Sequence, residues 1–124
     1  LDTAAATFTG LTAPADTARL NALFSRMLIA AASPLRRPWP LTAFRRGIEA
    51  RQALVEWFGR LVAERRRAPS PERRDMLSLL ANARDDAGSP LADADIVEHV
   101  LFVLMAAHDT TASALTNLCL MLVE

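Results

Sequence analysis

Apolar residues recur along this chain with a helical period. Leu20, Leu23, Phe24, Met27 and Leu28 share one side of a helix that Asp16 can cap and that ends before Pro34. A short helix from Thr3 to Thr9, closed by Gly10, precedes it. Ser33 to Thr42 holds three prolines and reads as an extended loop. Thr42 is placed to cap a third helix running to about Arg67, with Ile48, Val55, Phe58 and Val62 on its buried face. Glu56, Arg60 and Glu64 are spaced four apart for a solvated ladder, and Arg65, Arg66 and Arg67 complement the dipole in the last turn. Ser70 and Pro71 predict the start of a fourth helix that buries Met76, Leu77, Leu79 and Leu80 and ends at Gly88. Asp93 then caps a fifth helix. No segment sustains a period of two, so the fold class is all-α, with about five helices.

The fifth helix has a different pattern. Val100 to Ala107 is an unbroken apolar run, and Leu118 to Val123 is another. A helix that is apolar on nearly every side is buried. From Ala94 onward it is at least 31 residues long, or roughly 46 Å at about 1.5 Å per residue. Four shorter helices can cover only part of that length. Its centre carries Ala106, Ala107, His108, Asp109, Thr110, Thr111, Ala112 and Ser113. An acid inside a buried helix costs free energy unless it is paired, so the stretch is either a satisfied polar knot or a site of chemistry. The structural alternative is specific: the Thr110 hydroxyl can bond back to the Ala106 carbonyl one turn earlier.

Composition narrows the partners. Fourteen basic and fourteen acidic residues cancel, which gives no reason to expect nucleic acid or an anionic membrane as partner. Every basic residue is arginine and alanine is abundant, a bias suited to a bacterial genome rich in G and C. Cys119 is the only cysteine, so no internal disulfide forms; within NLCLML it reads as a buried, inert thiol. No signal peptide and no run of 18 apolar residues occurs, because His108 to Thr111 interrupts the longest candidate. The expectation is a cytoplasmic protein with no membrane anchor in this segment.

The order small-small-any-acid-Thr-Thr, here Ala106 to Thr111, resembles the distal-helix motif of the cytochrome P-450 family, the haem-thiolate monooxygenases. Ala107 stands where glycine is commonest. Met76 to Leu115 looks like the segment leading into that helix, and Pro40 to Arg66 looks like the preceding surface helix of bacterial members. The family's Phe-x-x-Gly-x-x-x-Cys-x-Gly loop is not in this sequence, and no Glu-x-x-Arg follows Thr111. Residues 1–124 are therefore expected to form a single partial domain, a helical middle segment of a longer catalytic domain whose haem-ligating cysteine lies outside this chain.

The resemblance implies haem b as cofactor, a lipophilic small molecule as substrate and a ferredoxin or flavoprotein as electron donor. It implies a reaction that inserts one oxygen atom of O2 into that substrate. Thr110 would steady the oxygen under reduction and Asp109 would relay protons to it. Ala106 would let the helix approach the porphyrin, with Ala107 and Thr111 as further haem neighbours. A hydroxyl that diverts the backbone bonding would also open a local groove for oxygen and water. Phe102 and Met105 would line the substrate pocket, or else pack in the core.

His99 and His108 are nine residues apart on one helix, on opposite faces, and cannot share a metal. His108 reads as structural, or as tuning the surroundings of Asp109. Ser113, His108 and Asp109 diverge around the helix and cannot form a hydrolase triad. The remaining alternative is an all-helical ligand-binding or protein-interaction domain without catalysis.

Overall fold

The computed structural model describes residues 2–123, apart from the side chains of Asp2, Asp109 and Val123. Its elements are α1 (Asp2–Thr9), α2 (Pro14–Ala31), α3 (Ala43–Arg67), α4 (Met76–Asn82) and α5 (Asp93–Val123). Among the described residues there is no strand, only one isolated bridge between Arg84 and Pro90. The all-α expectation therefore holds.

Several helix ends follow the local chemistry expected of them. The Thr42 hydroxyl accepts the Arg45 amide at 3.2 Å and starts α3. Others differ. Asp16 does not cap α2: Ala13 occupies the cap, Pro14 opens the helix and Asp16 lies in its first turn, where its charge suits the dipole. Ser70 and Pro71 form a turn closed by the Arg73 amide on the Ser70 carbonyl. The cap of α4 is Asp75, whose carboxylate accepts the Ser78 amide and hydroxyl at 2.9 and 2.7 Å. A charged acceptor aimed at two donors outcompetes the proline signal upstream. Gly88 does not end α4, which stops at Asn82. It sits at φ +81° in a turn where the Asp85 carboxylate accepts the Ala87 and Ser89 amides. Asp93 is the first helical residue of α5, with the Ala92 carbonyl accepting the Ile96 amide.

The core gathers Leu20 and Phe24 of α2, Leu54, Trp57, Phe58 and Val62 of α3, Leu77 and Ala81 of α4, and Ile96, Val97, Val100, Leu101 and Leu104 of α5. The buried stripe of α3 keeps Phe58 and Val62 as expected, but its first half is rotated from the one expected. Gly47, Ala50, Leu54 and Trp57 face inward, Val55 is half-buried and Ile48 is exposed. In α4, Ser78 and Ala81 are buried beside Leu77 while Leu79 is exposed. The described ion pairs of α3 also differ from the ladder expected. Arg45 meets Glu49, Arg51 meets Glu98 of α5, Arg65 meets Glu64 and Arg66 meets Asp93.

The rotation has a steric cause. At Gly47, α3 comes so close to α2 that an added Cβ would lie 2.0 Å from the Ala30 Cβ and 3.0 Å from the Arg26 carbonyl oxygen. Helix propensity alone would make Gly47→Ala stabilising by about 1 kcal/mol. Overpacking costs about 1–3 kcal/mol and often more. Gly47→Ala is therefore expected to lower the thermal midpoint of the complete protein; a raised midpoint would show that the two helices separate freely.

Candidate functional site on the longest helix

Helix α5 is held at its start by Arg66. The Arg66 guanidinium donates to the Ala81 carbonyl at 3.0 Å, donates to the Leu91 carbonyl and pairs with Asp93. Three fixed donors of one planar group thus tie the ends of α3 and α4 to the first turn of α5. From there Ile96, Val97, Val100, Leu101 and Leu104 anchor one face of α5 in the core. This fixes the rotation of every residue that follows on the same helix.

Expected burial of α5 is met only in this first half. Leu118, Leu120, Met121 and Leu122 are exposed, because α1 to α4 do not reach over them, and Leu115, at the edge of the groove toward α1, is more than half exposed. Cys119, expected to be buried, is exposed for the same reason.

The rotation turns Phe102, Ala106 and Thr110, four residues apart, away from the buried stripe. Phe102 is 62% exposed, Met105 beside it 36%, Ala106 is half-buried and Thr110 is exposed. The Thr110 hydroxyl donates to the Ala106 carbonyl at 2.7 Å, as the structural reading of this residue requires. Its oxygen lone pairs remain available to accept a further hydrogen bond. The helix runs without interruption from Asp93 to Val123, through the threonine. Asp109 belongs to the helix, but its side chain lies outside the described residues.

Ala107 and Thr111 fall on another face. With Thr3, Ala4, Thr7 and Phe8 of α1 they line a groove of about 610 Å³. The structure thus places Phe102, Ala106 and Thr110 on one face, with Met105 beside Phe102 at one edge and Ala107 beside Thr110 at the other, where Ala107 and Thr111 turn toward α1. The contribution of α1 was missed in the sequence; the pairs 3–4 and 7–8, one turn apart, carried that signal. His108 packs edge-on against Phe24, with ring centroids 6.1 Å apart, which fits a structural role. His99 lies on the opposite side with Asp95, Leu80, Leu91 and Ile96 around a smaller cavity. Among the described residues no group of three or more His, Cys, Asp or Glu side chains is placed to hold a metal ion. No described helix is long and apolar enough to cross a membrane.

The fold and the motif define the class as an all-α body whose longest helix carries Ala-Ala-His-Asp-Thr-Thr at its centre. Comparison with known proteins makes this specific. The family model "Cytochrome P450" matches residues 12–124. A protein described as cytochrome P450 136 of Mycobacterium tuberculosis is 37% identical over 100 residues, covering 81% of this chain and 20% of its own length. One described as cytochrome P450 120 of Synechocystis is 35% identical over 85 residues, covering 68% of this chain and 19% of its own. The solved structure of cyanobacterial CYP120A1 with retinoic acid bound superposes with a TM-score of 0.78 at 33% identity, over 98% of this chain and 27% of that one. The chain belongs to the cytochrome P450 family. It spans about a fifth of the length of the curated relatives it matches.

Proposed function

We propose that this chain is the helical middle segment of a haem-dependent monooxygenase, with α5 as the distal helix and part of the substrate pocket. The observation that carries this reading is the open face of α5, on which Phe102, Ala106 and Thr110 follow one another at one-turn spacing with the hydroxyl presented. A flat porphyrin fits such a face: Ala106 has only a methyl to keep it at a distance, while Thr110 offers a hydroxyl one turn further on. When bound, the haem supplies the activation of dioxygen from which one oxygen atom is inserted into the substrate.

The residues of this chain contribute around that chemistry. Ala106 sets how closely the helix approaches. The Thr110 hydroxyl, its proton on the Ala106 carbonyl, would accept a hydrogen bond at the face where the cofactor would lie. Asp109, one step of about 100° round the helix, carries protons from solvent toward Thr110. Ala107 and Thr111, in the groove toward α1, act as more distant neighbours of the cofactor. Phe102 and Met105 shape the cavity for a lipophilic small molecule, a class supported by the retinoic acid held by the cyanobacterial relative. Electrons come from a ferredoxin or flavoprotein. The exposed apolar side chains Leu115, Leu118, Leu120, Met121 and Leu122 are covered by the rest of the catalytic domain.

The complete protein is expected to give a thiolate-type carbon monoxide difference band, and residues 1–124 alone to give neither the band nor turnover. A complete protein without the band would favour a helical binding domain without catalysis. Phe102→Ala and Met105→Ala are each expected to shift the product distribution more than the thermal midpoint. A large loss of folding with an unchanged product ratio would make them core residues of the assembled domain.

A further inference from the structure

His108 occupies the back of the face that carries Ala106 and Thr110. At about 100° per residue it lies two steps from each of them, behind the midpoint of the edge they form. Whatever sets the depth of the His108 side chain therefore sets how far Ala106 and Thr110 stand forward on the opposite side.

A ring contact sets that depth. The His108 imidazole meets the Phe24 ring of α2 edge-on, with centroids 6.1 Å apart and planes at 77°. This is a preferred arrangement of two rings and fixes both distance and orientation. Phe24 is itself firmly held. It is fully buried, and α2 is pinned to α3 on either side of it. Before Phe24, the Arg19 guanidinium lies 4.5 Å from the centroid of the Trp57 ring. After it, Ala30 comes so close to Gly47 that an added Cβ would lie 2.0 Å from the Ala30 Cβ. Phe24 thus gives His108 a stop that cannot retreat unless α2 leaves α3.

The other anchors of α5 lie further from the motif. Arg66 holds the first turn, and the buried stripe described above runs only to Leu104. His108 stands one turn beyond Leu104. It also lines the groove shared with Thr7 and Phe8 of α1. The imidazole is therefore braced where the core gives out, behind the residues whose placement matters.

We propose that His108 is a positioning residue for oxygen activation: its ring, seated on Phe24, holds α5 at the depth and rotation that bring the Ala106 methyl and the Thr110 hydroxyl to the cofactor. The inference rests on the monooxygenase reading and adds to it a residue that points away from the reacting atoms. The ring acts by packing, not by exchanging protons.

Three variants of the complete enzyme test it. His108→Leu and His108→Gln fill the space without a ring, and His108→Phe keeps a ring without a titrating group. His108 is exposed in this chain, so all three are expected to fold. A displaced hydroxyl loses coupling. Product formed per NAD(P)H is expected to fall about 2- to 10-fold in both ringless variants, the scale of one aromatic pair, with the balance released as hydrogen peroxide. The phenylalanine variant is expected to recover most of the coupling and to keep the pH dependence of the parent. A thiolate-type carbon monoxide band in each protein reports that the cofactor site is assembled. Coupling as in the parent in either ringless variant, with the band present, overturns the positioning role and leaves the monooxygenase reading standing; a lowered thermal midpoint with coupling intact is that result. Equal loss of coupling in the phenylalanine variant also overturns it, since the imidazole would then act through its proton. A parent protein without the band overturns the monooxygenase reading and this role with it.

Discussion

Thr110→Ala in the complete enzyme is expected to keep consuming NAD(P)H and oxygen while releasing much of the flux as hydrogen peroxide. The hydroxyl it removes is the polar group on the open face of α5, one turn beyond Ala106. A hydrogen bond to a charged group is worth about 1.5–3 kcal/mol, which corresponds to about 10- to 150-fold in a rate. Product formed per NAD(P)H is therefore expected to fall about tenfold or more. Stability should change little, because alanine is the best helix former and the bond that is lost goes to a carbonyl of the same helix. A threonine that serves only its 2.7 Å bond to the Ala106 carbonyl predicts the reverse: an altered thermal midpoint with coupling intact. Thr110→Ser restores the hydroxyl and is expected to recover part of the coupling. Measuring peroxide, product, cofactor consumption and the thermal midpoint on one preparation separates the two roles, and tight coupling in the alanine variant would remove oxygen activation from this residue.

Asp109→Asn is expected to slow turnover by about 100-fold or more, in the range of a positioned proton carrier. Asparagine keeps the shape of aspartate and loses the titratable group, so substrate affinity should stay nearly unchanged. The solvent isotope effect on turnover should rise as proton delivery becomes limiting. Unchanged turnover with an unchanged isotope effect would assign Asp109 to structure. This prediction rests on the place of Asp109 beside Thr110 in the helix, and its sequence position alone carries it.

The sequence made the helices legible wherever a local signal had no competitor. Thr42 starts α3 because a hydroxyl at that position meets a free amide three residues on. The fourth helix was misjudged because two start signals compete within six residues. Ser70-Pro71 is the more conspicuous, but the Asp75 carboxylate satisfies two donors at once. The stripe of α3 was offset because Ile48 is apolar while Gly47 looks featureless. The close approach of Ala30 decides which of them faces inward.

For the candidate site, the motif was legible and the rotation was not. Ala106 to Thr111 reads as one motif along the chain, and the spacing of Phe102, Ala106 and Thr110 places them on one face without any coordinates. Whether that face points inward depends on how the first half of α5 is anchored, by the Arg66 clamp and by Ile96, Val97, Val100, Leu101 and Leu104. The Arg66 contacts span 15 to 27 residues of sequence and leave no periodic trace.

Local chemistry, then, was determined by the sequence: an all-α chain, a long apolar helix and a hydroxyl beside an acid at its centre, because caps and helical periods act within a few residues. The tertiary structure decided which sides of that helix are open, that Ala107 and Thr111 turn toward α1, and that His108 meets Phe24 of α2. Those outcomes depend on packing between residues distant in the chain.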